Sequence, residues 1–473
     1  MAHYDLIVIG SGPGGQKSAI QAAKLHKRVL IVERTSVSVG GICTHTGTIP
    51  SKAMREAVLY LSGFRLRGIY GKSYRVKQNI TMEDLLFRGS KVIRQEVQVI
   101  QDQMARNHVE LTFGLATFID PHRIKVSADE GSHEHTADTF VIATGSTPAR
   151  PPDVPFDDET VIDSDGLLRM KKIPEAMTIV GAGVIGCEYA CMLAALGVKV
   201  TLVDGRPRLL DFVDAEIIES LQYQMRQMRV SLRLGEAVDR VERDESGSIL
   251  ARLKSGKQIA SPTLLYSVGR LGATAELNLQ NIGIEPDARG RLNVSSNYQT
   301  SLPHIYAVGD VIGFPSLAST SMEQGRLASC YAFNQKANPI PEQLLPYGIY
   351  TIPEISVIGP TEEQLTREGI PYEVGVARYS EIARGKLIGD EDGMLKLVFH
   401  LTTRKLLAIY TIGEGATELI HIGQTVMAFE GTIDSLITNV FNYPTLAECY
   451  KVAALDGINR LPRQLKCATE PNS

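Results

Sequence analysis

The sequence predicts an α/β protein with two doubly wound, Rossmann-like units followed by a C-terminal α+β domain. Three observations lead to this prediction. A strand–glycine turn–helix–strand pattern occurs twice, four prolines between Pro148 and Pro155 separate the two copies, and the pattern changes after about Pro346. The length of 473 residues also accommodates about three domains, at roughly 100–200 residues each.

The composition is that of an ordinary globular protein. Hydrophobic residues make up 44% and charged residues 22%, and the formal net charge is -4, which argues against binding to nucleic acid. No apolar run reaches the roughly 18 residues of a membrane span, so we expect no membrane insertion. The six cysteines are scattered, which predicts a reduced, cytoplasmic setting. No cluster has metal-ligand spacing, so no metal is expected.

The first copy of the pattern begins close to the N-terminus. The β-branched run Asp5–Ile9 predicts a strand, and the glycine turn Gly10–Gly15 follows it. A helix is expected from Gln16 to about His26, and then a strand over Arg28–Val32 that ends on Glu33.

The second copy repeats these parts in the same order. Met177–Val180 is a predicted strand, Gly181–Gly186 is the turn, and a helix is expected to reach about Leu196. The strand Lys199–Val203 then ends on Asp204. In both copies the acid follows the last glycine by 18 residues. Ordinary glycine turns would not repeat in so complete a context.

The pattern indicates dinucleotide binding. The first spaced glycine permits a tight turn, the second allows the backbone to approach a pyrophosphate, and the third allows close packing of helix on strand. The helix N-terminus attracts phosphate groups. The terminal acid accepts hydrogen bonds from a ribose hydroxyl.

The remaining elements complete three predicted domains. The first unit covers 1–150 and 271–345, the second covers 151–270, and the C-terminal domain covers 346–473. Further predicted strands are Phe140–Ile142, Ile305–Val308, Leu395–Phe399 and Leu406–Thr411, and helices are predicted over Thr417–Glu430 and Thr432–Phe441.

Over nearly its whole length the chain resembles the flavoprotein pyridine nucleotide-disulfide oxidoreductases. The resemblance implies FAD on the first unit, NAD(H) or NADP(H) on the second, and a homodimer or larger homo-oligomer formed through the C-terminal domain. The implied FAD contacts are Gly10, Gly12, Pro13, Gly14, Gly15, Glu33, Arg34, Gly41, Cys43, Thr48, Lys52, Thr144, Gly145, Asp310, Leu317 and Ala318. The implied NAD(P) contacts are Gly181, Gly183, Val184, Ile185, Gly186, Glu188, Asp204, Arg206, Arg208 and Gly269.

Two departures from the family pattern bear on function. The redox segment of that family has two cysteines, but here Cys43 is kept and Thr48 replaces the second. The histidine that serves as the dithiol base is replaced by Tyr443, ahead of Glu448, and tyrosine is a poor base near neutral pH. A threonine hydroxyl cannot relay electrons as a disulfide.

Several segments are similar to the branch of this family that transfers a hydride from NADPH to NAD+, the Si-specific transhydrogenases. These segments are Cys43–Lys52, Gly309–Gly313, Pro315–Ser319, Gly348–Glu354, Phe441–Thr445 and Val452–Leu455. The resemblance implies an oxidoreductase with ping-pong kinetics at flavin N5, without a redox-active disulfide. It also implies that Lys52 and Glu188 are catalytic, although an ordinary salt bridge is an alternative.

Other functions share the nucleotide motifs. An NAD(P)H dehydrogenase or diaphorase that reduces a quinone or another acceptor is the main alternative, and a flavin-bound regulatory subunit is a non-enzymatic one. Nucleotide choice also stays open. Asp204 favours a free ribose 2′-hydroxyl, whereas Arg206 and Arg208 are able to accept a 2′-phosphate unless they are solvated loop charges.

Overall fold

The computed structural model describes residues 1–245, 247–339 and 341–462. Residues 463–473 of the predicted C-terminal domain lie outside this part of the chain. The strands are β1 (Ala2–Ile9), β2 (Val29–Glu33), β3 (Glu110–Phe113), β4 (Leu115–Asp120), β5 (Arg123–Ala128), β6 (Gly131–Ile142), β7 (Ser146–Pro148), β8 (Val161–Ile162), β9 (Ala176–Val180), β10 (Lys199–Asp204), β11 (Ser231–Leu234), β12 (Val238–Arg243), β13 (Ile249–Leu253), β14 (Gln258–Ser261), β15 (Thr263–Tyr266), β16 (Arg270–Gly272), β17 (Ile305–Ala307), β18 (Tyr347–Ile349), β19 (Ile355–Ile358), β20 (Tyr372–Arg378), β21 (Met394–His400) and β22 (Leu406–Ile412). The helices are α1 (Pro13–Lys24), α2 (Gly41–His45), α3 (Thr48–Leu61), α4 (Arg67–Tyr70), α5 (Met82–Arg106), α6 (Ser164–Leu167), α7 (Val184–Ala195), α8 (Ala215–Gln227), α9 (Ala318–Ala332), α10 (Glu362–Glu368), α11 (Ala383–Ile388), α12 (Ala416–Ala428), α13 (Ile433–Thr438) and α14 (Glu448–Arg460).

The first glycine turn follows a central strand of a mixed sheet. The strand order is β3-β2-β1-β6-β5-β4, with β17 also paired to β6. β1 runs parallel to β2 and to β6, so that Ile7 lies opposite Leu30 on one side and Phe140 on the other. All three side chains are buried. Because a parallel sheet is covered on both faces, its strands are continuous apolar runs, as the sequence predicts for β1 and β2.

The second turn has the same place in a five-stranded parallel sheet. The order is β11-β10-β9-β15-β8, and Ile179 on β9 pairs with Leu202 on β10 and Leu265 on β15. Helix α7 follows the turn, and its Cys187 and Cys191 are fully buried. The parallel strands that carry the glycine turns in both units, with helices that follow them, confirm the predicted α/β fold class.

A small antiparallel sheet lies where the chain leaves the first unit and returns to it. β7 pairs with β16, and Thr147 lies opposite Leu271. These strands lie close to the domain boundaries predicted near residues 150 and 271. The chain therefore enters the second unit just after β7 and leaves it just before β16.

The C-terminal region is an antiparallel sheet covered by helices, as predicted. The strand order is β18-β19-β22-β21-β20, and Phe399, Ile409 and Tyr450 pack together in its core. The helix predicted over 432–441 is too long. α13 ends at Thr438 because Asn439 has an extended backbone, with φ -63° and ψ 147°. No helix in the described ranges is both long and apolar enough to cross a membrane.

Candidate active site

The three spaced glycines of the first turn have three different environments. A Cβ atom on Gly10 would lie 2.4 Å from the Ala143 carbonyl oxygen, and one on Gly15 would lie 2.0 Å from the Gly10 carbonyl oxygen. A Cβ atom on Gly12 would meet no heavy atom within 4 Å. Gly12 therefore borders open space just before Pro13, the first residue of α1. A dinucleotide phosphate fits at this helix N-terminus.

A hydroxyl group that lacks a partner belongs to Thr144, whose Cα atom would lie 3.3 Å from a Cβ atom on Gly10. Thr144 Oγ1 is buried and has no hydrogen-bond partner among the described residues. Buried polar groups are normally paired, so this atom indicates an external ligand. Nearby in the fold, Asp310 accepts a hydrogen bond from Ser146 Oγ at 2.7 Å. The open space at Gly12 and the unpaired Thr144 both fit the predicted FAD.

Glu33, at the end of β2, is held by uncharged donors in the bonds that the structure describes. Its carboxylate accepts from the backbone N–H groups of Ser11 at 2.9 Å and Arg34 at 2.7 Å. The hydroxyl groups of Ser11 and Ser38 donate to it at 2.6 Å and 3.1 Å. The Arg34 guanidinium pairs instead with Glu276. The acid is thus fixed at the strand end, where the sequence places a ribose.

Gly14 has a packing role that the sequence does not predict. A Cβ atom on Gly325 of α9 would lie 2.0 Å from the Gly14 carbonyl oxygen, and one on Gly14 would lie 3.1 Å from the Ser321 carbonyl oxygen. Helices α1 and α9 therefore touch through their backbones. Leu317 and Ala318 form the start of α9, and their predicted contact with FAD stays a prediction.

The second turn repeats the geometry of the first. Gly181 has a φ of 102°, and its Cβ atom would lie 2.6 Å from the Ser267 carbonyl oxygen. A Cβ atom on Gly186 would lie 1.9 Å from the Gly181 carbonyl oxygen, whereas one on Gly183 would meet nothing within 4 Å. Val184 and Ile185 then start α7. The open space again borders the middle glycine.

The acid of the second unit carries an arginine. Asp204 accepts from the backbone N–H groups of Ala182 at 2.6 Å and Arg206 at 2.8 Å. The Arg206 guanidinium also donates to both carboxylate oxygens, from Nε at 3.0 Å and from Nη2 at 2.9 Å. Burial acts against the charge, but Arg206 and the N–H groups outweigh it and lower the pKa of Asp204.

Arg206 and the other predicted nucleotide residues have further neighbours. Arg206 Nη1 is 3.4 Å from Asp211, and Arg208 Nη1 is 3.5 Å from Glu363. Arg206 is therefore ion-paired rather than a free loop charge. Gly269 has a φ of 108°, and its Cβ atom would lie 2.6 Å from an Arg289 guanidinium nitrogen. The contacts of these residues with a nucleotide stay predictions.

Lys52 and Glu188 form the pair that the family resemblance implies. Lys52 Nζ, on α3 of the first unit, lies 2.7 Å from Glu188 Oε2, on α7 of the second unit. The glutamate side chain is 6% exposed and the lysine side chain 26%. The ammonium is thus held by a buried carboxylate at the boundary of the two dinucleotide units.

Comparison with known proteins identifies this architecture. The sequence model described as pyridine nucleotide-disulphide oxidoreductase matches residues 4–325, and the model of the dimerisation domain of the same family matches residues 345–454. The chain belongs to the pyridine nucleotide-disulphide oxidoreductase family. The second match agrees with the predicted homodimer.

Similar proteins within this family have a more specific name. A soluble pyridine nucleotide transhydrogenase from Mycobacterium tuberculosis (strain ATCC 25177 / H37Ra) is 54% identical over 98% of both chains. One from Vibrio parahaemolyticus is 47% identical and covers 97% of this chain and 99% of its own. In both cases the likeness extends over almost the full length.

Solved structures confirm the fold. LpdA from Mycobacterium tuberculosis has a TM-score of 0.88 at 24% identity and covers 96% of this chain and 99% of its own. The HOCl-induced flavoprotein disulfide reductase RclA from Escherichia coli has a TM-score of 0.85 at 26% identity, with 96% and 99% coverage.

In this member of the oxidoreductase family, the altered redox segment packs on the first glycine turn. A Cβ atom on Gly41 would lie 3.0 Å from Gly12 Cα. Burial raises the pKa of the Cys43 thiol, so it stays protonated near neutral pH. Thr48 begins α3 and supplies no second sulfur. His45 Nε2 donates to the Val39 carbonyl oxygen at 2.8 Å, which is a structural role.

Tyr443 and Glu448 occupy the positions of the family's base and of the glutamate that accompanies it. Tyr443 is 74% exposed, and Glu448 begins α14 with an Oε2 atom that is buried and unpaired among the described residues. Among the described side chains, no group of three or more potential metal ligands is found.

Sequence reasoning missed two groups at the site. Arg270 Nε donates to Ser146 Oγ at 2.9 Å, and Ser146 in turn donates to Asp310. Tyr350, in the segment Gly348–Glu354, also reaches Glu188. The resemblance of that segment to the family was a signal of importance, but it did not indicate which side chain Tyr350 contacts.

Proposed function

We propose that this protein transfers a hydride from NADPH to NAD+, giving NADP+ and NADH, with FAD bound to the first unit. The observation that carries the proposal is the loss of the second redox cysteine, at Thr48, and of the histidine base, at Tyr443, from a chain that keeps two complete dinucleotide turns. The full-length relatives named soluble pyridine nucleotide transhydrogenases support it. When bound, FAD supplies a group that accepts and returns a hydride.

The residues of each unit have separate roles in this proposal. The open space at Gly12, the fixed carboxylate of Glu33 and the unpaired Thr144 hold FAD. The open space at Gly183 and the Asp204–Arg206 pair bind the nicotinamide nucleotides. Because the second glycine turn is the proposed site for both nicotinamide nucleotides, NADPH and NAD+ use it in succession. The proposed transfer has the Si specificity of the branch that the chain resembles.

Lys52 contributes to the proposed reaction through its positive charge. Glu188 holds its ammonium at 2.7 Å, and a fixed positive charge stabilises negative charge that develops close to it. Lys52→Met is expected to slow the bleaching of bound flavin by NADPH about tenfold or more while changing the Kd of NADPH much less. Equal bleaching rates in the variant and the wild type would contradict this role.

A steady-state assay with NADPH and thio-NAD+ tests the proposed activity. We expect rapid formation of thio-NADH and parallel double-reciprocal lines, because the two nucleotides share one site. A lack of turnover together with rapid quinone reduction would replace the proposal with an NAD(P)H dehydrogenase.

We further propose that the homodimer works in the cytoplasm and that the predicted domain boundaries hold. The relatives that are named soluble support the first statement. The match of the dimerisation domain and the two-stranded sheet of β7 and β16 support the second.

A further inference from the structure

Lys52 has a second neighbour besides Glu188. Its Nζ lies 4.9 Å from the centroid of the Tyr350 ring. An ammonium within about 6 Å of an aromatic face is attracted by the quadrupole of the ring. The Lys52 ammonium thus has both a carboxylate and an aromatic ring as neighbours.

Tyr350 also holds the carboxylate itself. Its backbone N–H donates to Glu188 Oε1 at 2.8 Å, while Oε2 of the same carboxylate binds Lys52. Hydrogen bonds to a charged group are stronger than neutral ones, and the low exposure of Glu188 limits competition from water. Tyr350 therefore acts on Lys52 directly through its ring and indirectly through Glu188.

The tyrosine is itself well fixed. It directly follows β18, and the neighbouring Thr351 carbonyl oxygen accepts from Arg55 Nε at 3.0 Å. Arg55 lies on α3, three residues after Lys52. Burial raises the pKa of Tyr350, so the ring stays neutral through the physiological range. A neutral ring keeps the quadrupole that attracts the ammonium.

We propose that Tyr350 is a positioning residue that fixes the direction of the Lys52 ammonium. Three elements thereby converge on one charge: α3 of the first unit, α7 of the second, and the end of β18 in the C-terminal domain. The kinetic consequence of this proposal rests on the proposed function. Its effect on the potential of bound FAD does not depend on transhydrogenation.

The pair Tyr350→Phe and Tyr350→Leu separates the ring from the rest of the residue. Both variants keep the backbone N–H that binds Glu188, but only phenylalanine keeps an aromatic face. We expect the phenylalanine variant to bleach with NADPH within about twofold of wild type, and the leucine variant to bleach roughly three- to tenfold more slowly. The Kd of NADPH should change little in either variant.

The midpoint potential of bound FAD is the second readout. A positive charge stabilises an anionic reduced form, so a displaced Lys52 lowers the potential. For a two-electron couple, a tenfold change in the equilibrium constant of reduction corresponds to about 30 mV. This is the largest fall in potential expected for the leucine variant. A phenylalanine variant with the same loss as leucine would overturn the proposal, because its ring is intact.

A double-mutant cycle with Lys52→Met tests whether Tyr350 acts through the lysine. If it does, Tyr350→Leu changes neither the bleaching rate nor the potential further in the Lys52→Met background. Equal losses in both backgrounds would show a merely structural role and overturn the proposal. If the leucine variant does not retain FAD, Tyr350→Met repeats the test with an unbranched side chain. A wild type without thio-NAD+ turnover would refute the proposed function but leave the potentials to decide this proposal.

Discussion

The two dinucleotide units have nearly the same glycine geometry but bind their terminal acids differently. A Cβ atom on the third glycine would lie 2.0 Å from a carbonyl oxygen in the first unit and 1.9 Å in the second. Both acids accept from backbone N–H groups, but Glu33 also accepts from hydroxyl groups, whereas Asp204 accepts from the guanidinium of Arg206. We interpret this as the difference between a unit that keeps one cofactor and a unit that exchanges two substrates.

The largest effects are expected from valine at the middle glycines. Neither position has an atom within 4 Å of the added Cβ, so both Gly12→Val and Gly183→Val should fold. Gly12→Val is expected to purify without its yellow colour. Gly183→Val should keep the colour but lose at least about 100-fold in bleaching by NADPH, because small displacements of a reactant cost about that much.

Absorption spectra and thermal unfolding check both variants. Unfolding midpoints close to wild type are the control for folding. A colourless Gly183→Val and a yellow Gly12→Val would reverse the assignment of the two units.

A smaller effect is expected at the arginine that distinguishes the second unit. Arg206→Ala should raise the KM for NADPH roughly tenfold, because a charged hydrogen bond to the 2′-phosphate is lost. The KM for NADH should change little, since the substitution frees Asp204 for a ribose hydroxyl. Arg208→Ala tests the second predicted arginine, and we expect a smaller rise in the KM for NADPH because Arg208 lies 3.5 Å from Glu363 rather than on Asp204. An equal rise for both nucleotides would refute the phosphate role of Arg206.

The pH dependence of unfolding provides a third test of the difference between the two terminal acids. Arg206 and backbone N–H groups lower the pKa of Asp204 against the effect of burial. The ionised carboxylate therefore stabilises the fold above the ordinary value near 4, and this contribution is lost as the pH falls through the lowered pKa. The unfolding midpoint of wild type should exceed that of Asp204→Asn at pH 6, and the difference should shrink below about pH 4.

Asp211→Asn is the control for that measurement. Asp211 is 58% exposed at the side chain and 3.4 Å from Arg206, and exposed ion pairs contribute little. A wild-type advantage over Asp204→Asn that grows with acidity would contradict the assignment.

The parts of the molecule that could be predicted from sequence are those set by neighbours along the chain. The strands β1 and β9, their glycine turns and the acids that follow are local patterns, so their periodicity and spacing were sufficient. The pairing of Lys52 with Glu188 came only from a family resemblance. The contact of Tyr350 with Glu188 joins residues 162 positions apart, and no local pattern encodes such a contact.

A different limit applies to Arg206. It is only two residues from Asp204, so the sequence showed both charges. Whether the guanidinium points to the acid or to solvent depends on its rotamer and on the backbone N–H groups around Asp204, and these follow from the tertiary structure.

The smallest effect is expected at Cys43, in the segment between the first turn and Lys52. If the two units exchange a hydride without thiol chemistry, Cys43→Ser should leave the rate of thio-NAD+ reduction within about twofold of wild type. The physical reason is that burial raises the pKa of this thiol and Thr48 offers no sulfur to pair with. Turnover measured before and after treatment with a thiol-alkylating reagent checks this. A loss of activity in Cys43→Ser with unchanged FAD content would show that the segment carries electrons. It would contradict hydride exchange by the two dinucleotide units without a thiol.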